Sequence, residues 1–126
     1  MARPLYSPHA TIKHLGKTPK FLEQAGAWFL HSGIQEHSGG VARYYCAEPG
    51  ANRPVSSEIT GYAASAFAYF HQRTGNPEYL AAALRSARFL AGPAWDAAVH
   101  TYPFEPGSNR AYFFDIGIIA RGLGLR

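Results

Sequence analysis

Two carboxylates, Glu58 and Asp115, stand 57 residues apart in similar surroundings, Glu58-Ile59-Thr60-Gly61 and Asp115-Ile116-Gly117-Ile118. Each opens a segment that reads as a helix. A pair of carboxyl groups is what glycoside chemistry requires, one to protonate the leaving oxygen and one to act as base or nucleophile. The competing reading is structural. Acidic residues in a first helical turn also cap free N–H groups and face the positive end of the helix dipole. Asp115 follows Phe113-Phe114, and apolar bulk beside a carboxyl group raises its pKa.

The segments before these two helix starts hold the other candidates. Tyr44, Tyr45, Tyr102 and Trp95 offer aromatic faces with polar tips, which suit sugar rings. Their alternative role is to pack a loop onto a helix layer. Arg43, Arg53 and Arg110 each present a planar guanidinium that could take a substrate carboxylate in a bidentate pair, or simply face water. His100 could act as a base near neutral pH, or be an ordinary exposed loop residue. His31 and His37 have no third ligand nearby, so no metal site is expected. Gly39-Gly40 is too short for a phosphate-binding fingerprint, and neither a P-loop nor a nucleophile elbow is present. Cys46 has no base partner in the sequence and reads as a small packing residue. No cofactor is expected.

The elements that must position these residues come from a repeat. Thr18-Pro19-Lys20-Phe21-Leu22 resembles Asn76-Pro77-Glu78-Tyr79-Leu80, 58 residues later. Both read as a cap residue followed by Pro at the first helical position. Val41-Ala42-Arg43-Tyr44 lies over Val99-His100-Thr101-Tyr102 at the same offset. The repeat predicts helices from near Thr18 to Ser32, Ser57 to Thr74, Asn76 to Gly92, and onward from Asp115. Gly75 is the expected left-handed C-cap of the second. Long loops separate the first helix from the second and the third from the fourth.

The helices differ in character. The one from Pro77 carries Leu80, Ala83, Leu84, Ala87, Leu90 and Ala91 on one side, the amphipathic pattern of an outer helix. The one from Ser57 has an apolar stripe of Ile59, Tyr62, Ala63, Ala66, Phe67 and Phe70, and small residues opposite. A helix without a polar face is normally buried all round.

The basic side chains Arg3, Lys13, Lys17 and Lys20 precede any acidic residue, so the first twenty residues account for the whole net charge of +4. The rest is balanced. Residues 1–17 read as a basic N-terminal arm, and residues 18–126 as one domain of two hairpins, 18–75 and 76–126. Nucleic-acid binding calls for basic residues spread over a folded face, and none is expected. No segment is apolar enough to span a bilayer. The N-terminus lacks a signal-peptide core, and a cytoplasmic location is the expectation.

The runs GGVARYY, SSEITGYAASAFAYFHQRTGNPEYLAAALRSARFL and YFFDIGIIARGL resemble the (α/α) toroids of the six-hairpin glycosidase-like group. The likeness is nearest to exopolysaccharide-biosynthesis and uronyl-epimerase-like members. It implies an all-α fold, with two outer–inner hairpins of an (α/α)6 ring. It also implies a carbohydrate partner and a hydrolase, lyase or epimerase activity in polysaccharide metabolism, with Asp115 and Glu58 at the reacting sugar. A closed ring at this repeat length needs about 340 residues. A partial ring is therefore expected, either a fragment or a chain that self-associates through uncovered Phe67, Phe70, Ile118 and Ile119. Two alternatives stand beside this one: a non-catalytic helical-repeat scaffold, and a terpenoid-cyclase-like toroid. The last would need an Asp-rich cluster, and only Asp96 and Asp115 occur.

Overall fold

A computed structural model of the chain describes residues 16–124, so most of the basic arm lies outside the described residues. Four helices carry the fold: α1 (Lys20–His31), α2 (Ser57–Thr74), α3 (Pro77–Ala91) and α4 (Phe113–Gly124). Between α1 and α2 the chain forms four two-residue strands, β1 (Val41–Ala42), β2 (Tyr45–Cys46), β3 (Ala51–Asn52) and β4 (Val55–Ser56).

The strands correct the all-α expectation. β1 pairs antiparallel with β4, Val41 opposite Ser56, and β2 pairs antiparallel with β3, Tyr45 opposite Asn52. Together they make one ribbon, folded back at the turn Ala47–Gly50, where the Gly50 N–H donates to the Ala47 carbonyl. Val41, Tyr45 and Val55 favour a pleated surface. Pro54 lacks an N–H and sits at the break between the two pairs, where its carbonyl still accepts from the Arg43 N–H at 3.3 Å. The chain is thus a mixed α/β unit, not an all-α toroid.

The helices start and stop for local reasons. Ser56 caps α2 through its Oγ, which accepts from the Ile59 N–H, and Asn76 caps α3 by accepting from the Glu78 N–H. Gly75 ends α2 at φ 69°, in the left-handed region its place in the turn predicts. α1 begins one residue later than the repeat suggests, because Pro19 itself is the N-cap, with no side-chain hydrogen bond.

α2 is surrounded on most sides. α3 and α4 pack along it, and the Phe29 ring of α1 meets that of Phe67 at a tilt, 4.7 Å between centres. Its small face is where α4 crosses: a Cβ on Gly122 would lie 2.6 Å from the Gly61 carbonyl oxygen, and one on Gly61 would lie 3.0 Å from that of Ile118. Small residues therefore let two backbones meet. The residues expected to be uncovered are mostly not. Phe67, Phe70 and Ile119 are buried and Ile118 is half-buried, while the exposed apolar side chains of α2 are Tyr62 and Tyr69.

The expected inner stripe of α3 is also rotated. Tyr79, Ala82, Ser86, Phe89 and Leu90 face the core, whereas Leu80 and Leu84 are exposed beside a groove. Tyr79 wins the core position because it stacks on Phe70 at 5.0 Å and lies under Gly26 of α1. Among the described residues no helix is long and apolar enough to cross a membrane.

Candidate acid–base site

Both loops are tied to the first turn of α2, and this builds the site. The Thr60 hydroxyl donates to the Ser56 carbonyl at 2.7 Å and accepts from the Val41 N–H at 2.9 Å, which fixes the base of the ribbon. The Ser57 hydroxyl donates to the Pro103 carbonyl at 3.1 Å, which fixes the second loop. Ser56, Ser57 and Thr60 are all buried, so each of these bonds satisfies groups that water cannot reach. Glu58 lies between the two anchor points.

The second loop then turns at Glu105–Ser108 and returns, with the Phe104 N–H donating to the Arg110 carbonyl at 2.7 Å. Phe104 meets Tyr112 edge-on at 5.5 Å, and α4 begins immediately afterwards. Asp115 sits in the first turn of α4 and is 5% exposed, and its Oδ2 has no hydrogen-bond partner.

Arg43 joins the two loops. It pairs with Glu105, and its guanidinium carbon stands 4.0 Å from the centre of the Phe104 ring. Its charge is also felt by the two helix-opening carboxylates. Burial raises the pKa of Asp115, against a lowering influence from Arg43. Burial raises Glu58 as well, the Asp115 charge raises it further, and Arg43 again opposes. Both groups stand in the positive field of a helix N-terminus, yet loss of water outweighs it. Burial thus holds each carboxyl toward its neutral form, and the Asp115 charge acts on Glu58 in the same direction.

The other candidates lie along the two loops. Tyr102 is packed against Phe89, Leu90, Ala94 and Ile119 and meets Trp95 edge-on at 5.1 Å, and its burial raises its pKa. It is a packing residue of the second core. Tyr44 is exposed, and its carbonyl accepts from the Arg53 N–H. Arg53 and Arg110 are exposed, Arg110 beside a cleft of about 330 Å³ that also includes Asp96 and Thr101. His100 is exposed and takes φ 52°, uncommon for a residue with a side chain. Tyr45 lines a different cleft, against α1.

Sequence reasoning missed Glu105. Its repeat-equivalent position holds Ala47, just as that of Arg43 holds Thr101. The ion pair joins residues with no counterpart in the other half, so the repeat offers no signal for it. Among the described residues no group of three or more His, Cys, Asp or Glu is placed to hold a metal ion. Comparison of the chain with protein-family models, curated proteins and solved structures finds no match.

Proposed function

We propose that Glu58 and Asp115 form the acid–base centre of an activity on glycosidic bonds in uncharged saccharides. The observation that carries this reading is a pair of carboxylates in the first turns of packed helices, one of them buried with an oxygen that nothing in the fold satisfies. A buried unsatisfied carboxylate oxygen costs stability, and a proton on that carboxyl lowers the cost. The carbohydrate class comes from the resemblance of the two helix starts to carbohydrate-active enzymes.

The electrostatics favour hydrolysis of a neutral sugar over chemistry on a uronide. Arg43, the expected partner of a uronate carboxylate, is already engaged by Glu105. With three carboxyl groups around one guanidinium, a further anion meets repulsion. In the step we infer, the protonated carboxyl gives its proton to the glycosidic oxygen as the C–O bond breaks. The ionised partner either takes a proton from an attacking water or bonds to the anomeric carbon itself, in which case water, deprotonated by the first carboxyl, then cleaves the glycosyl ester and restores both groups. Arg43 limits how far both pKa values rise.

The test is reducing-sugar release from neutral oligosaccharides by the purified chain. Asp115→Asn and Glu58→Gln should each lower turnover by about 10²–10⁴-fold with the helical circular dichroism unchanged. Turnover retained by Asp115→Asn would return that residue to a helix-start role, and no release by the native chain would leave the scaffold reading.

A further inference from the structure

The ribbon has a second end. Its outer pair, Tyr45 opposite Asn52, stands against the end of α1. Between them is a cleft of about 530 Å³ lined by Trp28, His31, Ser32, Ile34, Tyr45 and Asn52. It shares no lining residue with the carboxylate cluster. We propose that this cleft binds one uncharged sugar unit of a glycan between Trp28 and Tyr45.

Three observations carry the proposal. The walls are aromatic and open to ligand: Trp28 is 56% exposed and Tyr45 57% exposed. Large aromatic surface left in water is costly unless something covers it. Trp28 leans on Phe29 at 6.1 Å, which meets the fully buried Phe67 at 4.7 Å, and the Tyr45 backbone is paired with Asn52 across the ribbon.

The rim supplies neutral hydrogen-bonding groups. The Asn52 amide nitrogen donates to the Gly33 carbonyl at 2.9 Å and to the Glu36 carboxylate at 3.4 Å, which anchors the side chain and leaves its oxygen as an acceptor. The Ser32 hydroxyl accepts from the Ile34 N–H at 3.3 Å and keeps its own proton to donate. Ile34, 7% exposed, is the apolar floor.

The lining holds no Lys, Arg, Asp or Glu. His31 is the sole side chain of this lining that can carry a positive charge, so a cationic ligand would give up water without gaining a counter-charge and an anionic one would depend on that imidazole, while a wholly apolar one would leave the rim groups unpaired. A pyranose matches both requirements, with apolar C–H faces for the rings and hydroxyl edges for the rim. The volume falls within the range of small-molecule sites. The proposal shares its ligand class with the acid–base reading but stands on different residues.

The experiment uses the full chain carrying Trp95→Phe, which leaves Trp28 as the sole indole. Its fluorescence is followed as maltohexaose, cellohexaose and mannohexaose are added to about 10 mM, which covers millimolar affinity. A saturable shift with at least one of them is expected, and Tyr45→Ala should weaken it by about tenfold or more. Calorimetry on Trp28→Ala should show a similar loss. No saturable response to any of the three, or an unchanged titration in Tyr45→Ala with native circular dichroism, overturns the proposal. Because the readout is binding, a chain without turnover still tests the cleft.

Discussion

The loop from α1 to α2 and the loop from α3 to α4 occupy equivalent places in the repeat, and they fold differently. The first zips into the β1–β4 ribbon, adds a bridge between Gln35 and Val41, and buries Ile34, Gly39, Gly40, Val41 and Ala42. The second keeps one isolated bridge, Asp96 to Thr101, and buries only Ala94 and Pro103. Chemistry accounts for the difference. Val41 and Val55 suit a pleat, and the prolines of the first loop, Pro49 and Pro54, fall at its turn and at the break between the strand pairs, whereas Pro93, Pro103 and Pro106 of the second loop cannot donate to a ladder. The shared Val-x-x-Tyr pattern therefore marks a position along the chain and not a conformation. The ordered loop carries the cation, the open loop carries its partner Glu105, and the ion pair closes the site between them.

Glycine substitutions should separate the loops most sharply. Gly39 has φ 92°, and a Cβ there would overlap the Arg85 carbonyl of α3. Gly39→Ala should destabilise by about 2–5 kcal/mol, through left-handed strain plus overpacking. Gly107 in the second loop has φ 80° with open space around it, so Gly107→Ala should cost only about 1 kcal/mol. Equal urea midpoints for the two variants would remove the contrast.

A smaller effect is expected at the anchor of the first loop. Thr60→Val keeps the shape but leaves the buried Val41 N–H without its acceptor. The cost should be about 1–3 kcal/mol, read from the same unfolding curves.

The smallest effect is a slope with pH. Asp115 and Glu58 both have pKa values raised in the fold, so the folded chain holds their protons more tightly than the unfolded chain does. Their contribution to stability is fully present below the ordinary carboxylate range. It is lost as pH rises through the raised values. Melting temperature should therefore decline across this window, and Asp115→Asn should flatten the decline. A slope unchanged in Asp115→Asn would show that the burial of this carboxyl has no linked cost.

Much of this was legible in the sequence where one residue decides a local event. Pro77 with Asn76 started α3, Gly75 ended α2, and the offset between Glu58 and Asp115 placed both in first turns. The ribbon was not legible as a fold class, because its strands are two residues long and interrupted by Pro54. Periodicity needs a longer run. The rotation of α3 was hidden because Leu80 and Tyr79 are both apolar, and only the stack on Phe70 chooses between them. Tyr44, Arg53, Arg110 and His100 have residue types that suit a sugar site, and the fold leaves all four exposed. Glu105 became visible only when the fold brought it to Arg43.

The central claim is that the two unlike loops deliver Glu58 and Asp115 into one coupled pair. Carbon-detected NMR titration of the two carboxyl groups, in the native chain and in Asp115→Asn, tests it directly. The account predicts that both titrate above their ordinary ranges in the native chain, and that the Glu58 midpoint falls in Asp115→Asn, because the charge that raises it is gone. A Glu58 midpoint that does not move when Asp115 is neutralised would contradict it.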